Sequence, residues 1–190
     1  MSQEAGFGFN PSEAAGSNLP LHLLLVGKQG SGKRALAQHL IDPRSPKHDL
    51  VVHTCSDLPT PLPTNQPLHV DFVVLLVNLT DLAALGDLKR QLLLVPPEYF
   101  LGRLSILATF FDRKSQHAFE LVDLEVTLDE FGELPIFYVN TQDALEARHC
   151  AQLLQRALQR ASGVATPLTP SVFNTLDVNE VTVTSARPTM

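Results

Sequence analysis

The sequence has few cysteines, no cluster of basic residues and no long hydrophobic run, and each absence excludes a class of protein. Its two cysteines, Cys55 and Cys150, lie far apart without partners at metal-ligand spacing, so we expect buried thiols in a reducing compartment and no metal site. The longest apolar run, Phe72–Val77, is too short to cross a bilayer, so no membrane association is expected. A net charge of −6 without a basic run argues against direct DNA binding by the domain.

The length and composition favour one domain with an arm at each end. A chain of 190 residues with 44% hydrophobic content can bury a sizeable core. Residues 1–19 are polar, rich in Gly and Ser, and without apolar periodicity, which predicts a disordered arm and no signal peptide. We assign the domain to residues 20–162. The tail, residues 163–190, is expected to dock as far as about residue 176 and to be disordered beyond it.

One stretch, residues 21–41, combines an apolar strand, a glycine-rich turn and a helix. The pattern G-x-x-x-x-G-K-[ST] matches from Gly27 to Lys33 and fails at its last position, which is Arg34. Glycines allow backbone amides to approach phosphate oxygens, and the lysine reaches the outer phosphates. The missing hydroxyl is a Mg²⁺ ligand, and a guanidinium offers only donors. The residues of this stretch predicted to contact a nucleotide, if one binds, are Gly27, Gly30, Gly32 and Lys33.

Strands and helices alternate along the rest of the chain. The strongest predicted strand is VDFVVLLVNL, Val70–Leu79, and a helix is predicted from Leu82 to Val95. A further helix is expected to bury Phe119, Val122, Val126 and Leu128 on one face, and His53 is expected in the wall of the core. The pattern predicts an α/β domain with a mostly parallel sheet of about five strands and helices on both faces, and it looks like a small Ras-type GTPase domain.

The remaining parts of a GTPase are incomplete in the sequence. The nearest candidate for the metal-binding D-x-x-G motif is Asp57–Thr60, which lacks the glycine. The guanine-reading motif N-K-x-D corresponds to Thr109–Asp112, in which Asp112 is the only retained base contact. The S-A-K loop near Asn140–Gln142 has no match. Because hydrolysis requires metal, positioning and charge neutralisation together, we predict the fold without catalytic residues, metal or cofactor.

Three sequence blocks resemble the centromere protein M family. They are VDFVVLLVNL, YFLGRLSILAT and LPIFYV with the helix that follows it, and the similarity spans roughly residues 50–176. The resemblance implies an inactive small-GTPase-like scaffold of the inner kinetochore, at the centromere in the nucleus, with a role in chromosome segregation. It also implies binding to centromere protein I and assembly with centromere proteins H and K. The family has largely lost the phosphate loop, whereas Gly27, Gly32 and Lys33 are present here.

Two groups of apolar residues are predicted to contact a partner. Tyr99, Phe100 and Leu101 follow two prolines in a turn where consecutive side chains cannot all face inward. Val172, Phe173 and Leu176 lie beyond the last predicted helix. Two other functions remain as alternatives: a P-loop GTPase that binds nucleotide through a divergent metal site, and a Ras-like binding module for trafficking adaptors.

Overall fold

The computed structural model describes residues 9–10, 20–41, 50–58 and 68–163. Seven strands and four α-helices lie in these ranges. In chain order they are β1 (Phe9–Asn10), β2 (Leu21–Val26), α1 (Lys33–Leu40), β3 (Leu50–Cys55), β4 (Leu68–His69), β5 (Phe72–Asn78), α2 (Ala84–Leu92), β6 (Leu104–Thr109), α3 (Leu121–Asp129), β7 (Ile136–Val139) and α4 (Ala144–Ala161). Two short 3₁₀ helices, Pro97–Phe100 and Lys114–Gln116, precede β6 and α3.

The main sheet has five strands in the order β3-β2-β5-β6-β7, and every pair is parallel. The strand order reverses direction between β2 and β5, which is the topological switch point of a doubly wound sheet. This architecture confirms the predicted Ras-like α/β fold. The predicted strand Val70–Leu79 agrees with β5 to within two residues at each end, because a long apolar run bounded by turn residues leaves few alternatives.

Helices cover both faces of the sheet and divide the core into two clusters. Alternate residues of β2 point to opposite faces, so Leu23 and Leu25 pack beneath α1 and α4, whereas Leu24 and Val26 pack beneath α2 and α3. The amide of Gln155 in α4 donates to the carbonyl oxygen of Leu40 at 2.9 Å and joins the two helices of the first face.

The predicted buried face of α3 is wrong in two of its four residues. Val122 and Val126 are 52% and 61% exposed, while Leu124 and Leu128 are buried. Phe119 packs only partly against the core. The helix spans only Leu121–Asp129, and Leu124 and Leu128 occupy the side of this short helix that faces the sheet. Two apolar residues therefore remain on the outer side of α3.

The terminal predictions fall mainly outside the described residues. Within the predicted N-terminal arm, Phe9–Asn10 forms a two-residue strand that pairs in parallel with Leu68–His69. The rest of that arm, and the tail from residue 164 with Val172, Phe173 and Leu176, lie outside the described ranges. Among the described helices, none combines the length and apolarity needed to cross a membrane.

His53 is half-buried on β3 and stacks on His22 of β2. The ring centroids are 5.4 Å apart, and His22 Nδ1 lies 3.1 Å from His53 Nε2. Burial, together with the neighbouring His22, lowers the pKa of His53. The neutral form of this imidazole is therefore favoured in the folded protein.

Candidate functional site

The glycine-rich loop, residues 27–32, connects β2 to α1 at the carboxyl end of β2, beside the switch point of the sheet. Gly27 is closely packed, since a Cβ there would lie 2.9 Å from both Leu76 Cβ and Ser31 Oγ. Gly32 has φ +88°, and a Cβ there would overlap the side chain of Thr141. These two glycines are required by the shape of the loop itself.

The ammonium group of Lys33 is turned onto the loop. Its Nζ donates to the carbonyl oxygen of Gly27 and, at 2.8 Å, to that of Lys28. Burial lowers the pKa of Lys33. Gly32 caps α1 without a side-chain hydrogen bond, and the first turn of α1 contains no acidic residue. The positive end of this helix is therefore not neutralised by a side chain of its first turn.

Asp57, the predicted counterpart of the metal-binding aspartate, takes part in an ion-pair network. Its carboxylate accepts from Lys28 Nζ at 2.7 Å, from Gln91 Nε2 at 2.8 Å and from Arg90 Nη2 at 3.2 Å. The hydrogen bond from Lys28 is the main cause that lowers the pKa of Asp57. Asp87 of α2 accepts from Arg90 Nη2 at 2.6 Å. We call these five residues the Asp57 network, which ties the loop to α2.

The space between the loop and α2 is small. A cavity of about 30 Å³ lies there, bordered by Gly27, Ser31, Asn78 and Gln91 among others. This volume holds a water molecule but is far below the roughly 300 Å³ of small-molecule sites. Within the described ranges, no group of three or more His, Cys, Asp or Glu side chains is placed to hold a metal ion.

Asp112 lies exposed in the turn after β6, and aromatic and basic side chains surround this turn. Phe110 has φ +63°, a conformation unusual for a non-glycine residue, and the Arg113 guanidinium lies 4.9 Å from its ring centroid. Arg113 also donates to Gln142 Oε1 at 2.5 Å. The structure therefore brings the turn after β6 and the turn after β7 together. The asparagine and lysine of the guanine-reading motif are absent here, and the hydroxyl of the buried Thr109 donates to the carbonyl oxygen of Val77 at 3.2 Å.

The three predicted contact residues of the apolar turn have different environments. Tyr99 is fully buried, and its hydroxyl donates to the carbonyl oxygen of Val70 at 2.9 Å, so its assignment to a partner surface is wrong. Burial also raises the pKa of Tyr99. Phe100 is half-buried and stacks on Phe131 with centroids 6.5 Å apart. Leu101 is 86% exposed, so it presents its side chain to solvent.

Two exposed leucines near this turn are not predicted from the sequence. Leu93 and Leu94, just after α2, are 70% and 39% exposed. The run of three leucines at residues 92–94 could have predicted this exposure, because consecutive residues at the end of a helix cannot all face the core. The Asp57 network is not predicted either, because Lys28 and Asp57 are 29 residues apart in the sequence.

Comparisons with known proteins identify relatives of the chain. The family model described as centromere protein M matches residues 18–179. The centromere protein M of Homo sapiens is 30% identical over 144 residues, covering 74% of this chain and 77% of that protein. The protein of the same name from Bos taurus is 28% identical over 141 residues, with the same coverage. The match begins before the glycine-rich loop, so the similarity is longer than the stretch of residues 50–176 expected from the sequence blocks.

Proposed function

Because the chain belongs to the centromere protein M family, we propose that it is a catalytically inactive, small-GTPase-like scaffold of the inner kinetochore. In this proposal it binds centromere protein I and supports assembly with centromere proteins H and K during chromosome segregation. It acts in the nucleus, at the centromere, and it needs no bound cofactor. Family membership supports the centromere role, and the geometry of the site supports the absence of catalysis.

The Asp57 network is the observation that carries the inactive reading. A metal-dependent GTPase needs a carboxylate and a hydroxyl near the phosphates. Here Asp57 accepts hydrogen bonds from Lys28 and Gln91, and the position after Lys33 is an exposed arginine. Direct coordination of Mg²⁺ by Asp57 would compete with these donors, and the guanidinium of Arg34 offers no ligand for the metal. Both features oppose hydrolysis.

A nucleotide titration tests this part of the proposal. The purified chain is titrated with fluorescent GTP and ATP analogues, with and without Mg²⁺, and we expect no binding up to high micromolar concentrations. The matched variant Arg34→Thr restores the missing hydroxyl, and it is expected to leave the result unchanged. Metal-dependent micromolar binding that disappears in Lys33→Ala would overturn the inactive reading.

Nucleotide binding without hydrolysis is the second candidate function. It is favoured by Lys33, which is retained at the loop, and by the first turn of α1, which contains no acid to compete with a phosphate. Binding that does not depend on Mg²⁺ and is lost in Lys33→Ala would support this candidate. The scaffold would then be regulated by a ligand.

Leu101 is the most exposed of the predicted partner-contact residues that the structure describes. Burial of such an exposed leucine side chain against a partner would stabilise the complex. The family match extends to residue 179 and so includes the second predicted group, Val172, Phe173 and Leu176. We expect Leu101→Asp and Phe173→Asp to abolish co-purification with centromere protein I. Leu145→Asp is the matched control, because Leu145 is 77% exposed on α4. Retention of the partner by both variants would place the interface elsewhere.

A further inference from the structure

Two valines lie exposed on the outer side of α3, among acidic residues. Val122 and Val126 lie four residues apart, so they form one stripe along the helix axis. The core does not require them, since Leu124 and Leu128 already fill the inner face and are 0% and 3% exposed. The stripe is therefore available for contact with another molecule.

Acidic residues predominate around this stripe, and the neighbouring basic residues are Lys114, which borders a cavity with Val122, and Lys89, which pairs with Glu130. Residues 115–147 contain eight of the 20 acidic residues of the chain and none of its 14 lysines and arginines. Within α3, Asp123, Glu125 and Asp129 are all exposed. An acidic rim of this kind attracts a basic partner and repels nucleic acid.

The helix is fixed without a partner. A capping box joins Glu120 and Asp123, with Asp123 Oδ2 accepting from the backbone N–H of Glu120 at 2.9 Å. At the other end, Lys89 of α2 forms an ion pair with Glu130 at 2.6 Å. Within the described ranges no ion pair uses Glu125 or Asp129. These two carboxylates lie along one side of the valine stripe and can pair with incoming cations.

We propose that the outer face of α3, formed by Val122, Val126, Glu125 and Asp129, docks an amphipathic helix of a partner protein whose apolar stripe is bordered by Lys or Arg. The apolar stripe of the partner covers the two valines, because ridges of side chains spaced by four residues pack helix against helix. Its cations pair with Glu125 and Asp129. This surface shares no residue with the turn that contains Leu101, although Phe100 of that turn stacks on Phe131 just after α3.

The test uses the full chain, labelled with ¹⁵N, and three synthetic 18-residue peptides. The first is a helix with a leucine stripe bordered by lysines, the second has the same composition with the stripe scrambled, and the third replaces each lysine by glutamate. Affinities are measured by fluorescence anisotropy, and binding sites are mapped by amide chemical shifts. We expect only the first peptide to bind, with shift changes centred on residues 121–130 and an affinity that falls at high salt.

Two double variants separate the apolar and the charged contributions. Val122→Ser with Val126→Ser removes the stripe at constant charge, and we expect about tenfold weaker binding of the lysine peptide. Glu125→Lys with Asp129→Lys is expected to weaken that peptide by about tenfold and to create binding of the glutamate peptide. Glu98→Lys with Asp112→Lys makes the same charge change at other exposed positions, and it should retain the site on α3.

The proposal is overturned by any of three results. One is no binding of the lysine peptide, another is equal affinity for the ordered and scrambled peptides, and the third is a shift map that lies away from α3. Thermal unfolding of each variant establishes that it is folded, and the exposed positions chosen make this the expected result.

Discussion

The glycine-rich loop and the apolar turn lie at opposite ends of the sheet and differ in what they present to solvent. At the carboxyl end, Lys33 and Lys28 are bonded to groups of the chain itself. At the amino end of β6, the turn buries Tyr99 but leaves Leu101 86% exposed. Polar groups that could bind a ligand are thus paired internally, while an apolar group is left uncovered. The comparison shows that one sheet has internally paired polar groups at its carboxyl end and an exposed apolar side chain at its amino end.

Substitution of Tyr99 gives the largest expected effect and separates the two roles within the turn. Tyr99→Ala removes a buried ring, so we expect it to lower the free energy of unfolding by about 3–5 kcal/mol. Leu101→Ala should change it by less than about 0.5 kcal/mol, because the side chain is exposed. Urea unfolding measures both. Similar losses for the two variants would mean that Leu101 also serves the core.

Tyr99→Phe isolates the hydroxyl in the same experiment. This change keeps the ring and removes the hydrogen bond to the Val70 carbonyl oxygen. We expect a loss of about 1 kcal/mol. A loss as large as that of the alanine variant would contradict the assignment of the ring to the core.

Gly32 gives the next largest effect and tests whether the loop is held by its own packing. Gly32→Ala places a Cβ at φ +88° and against Thr141, and we expect a loss of about 2 kcal/mol in chemical unfolding. Gly30→Ala is the matched control, since Gly30 has φ +83° but no neighbour within 4 Å of an added Cβ. Adding Thr141→Ala should recover part of the loss for Gly32→Ala and none for Gly30→Ala. Equal effects at both glycines would show that only the backbone conformation matters.

Asp57→Asn, at the carboxyl end of the sheet, is expected to lower the free energy of unfolding by a smaller amount. The side chains of Lys28 and Asp57 are 40% and 47% exposed, so solvent screens their ion pair and the expected loss is below about 1 kcal/mol. The folded pKa of Asp57 is lowered, so its contribution is present above the ordinary value near 4 and is lost as pH falls below it. Unfolding curves from pH 6 to pH 3 should show this loss in the parent and not in the variant. If the parent and Asp57→Asn show the same pH dependence of stability, the ion pair of Asp57 does not stabilise the loop.

The histidine pair gives the smallest effect and titrates in a separate window. The pKa of His53 is lowered by burial and by His22, so the folded protein binds fewer protons than the unfolded chain below the ordinary value near 6.5. Stability is therefore lost as pH falls from 7.5 to 5.5, and we expect His53→Gln to reduce that loss. Because His53 is half-buried, the difference should be below about 1 kcal/mol. A steeper loss in the variant would reverse the assigned direction.

The sheet is predictable from the sequence because each of its central strands is a continuous apolar run with turn residues on both sides. The face of α3 is not, since two stripes compete: Phe119, Val122 and Val126 have the same spacing as Leu121, Leu124 and Leu128. Only the packing of the helix on the sheet selects the second stripe.

Within the candidate site, the sequence predicts residues that belong to a short motif, but it does not predict hydrogen-bond partners that are distant in the chain. The glycines and Lys33 are found because a short motif contains them. The burial of Tyr99 depends on the Val70 carbonyl oxygen, 29 residues earlier, and the engagement of Asp57 depends on Lys28 at the same separation. Sequence spacing carries no information about such pairs.

The pairing of α1 with α4 has a consequence for synthesis of the chain. The face of the sheet with Leu23 and Leu25 is completed by α4, which ends at Ala161, although β2 emerges from the ribosome about 130 residues earlier. At about 5–20 residues per second, the part of this apolar face that α1 does not cover stays exposed for roughly 6 to 26 seconds. The nascent chain therefore exposes the α4 side of this face to solvent during that interval, and a product truncated before α4 would expose it permanently.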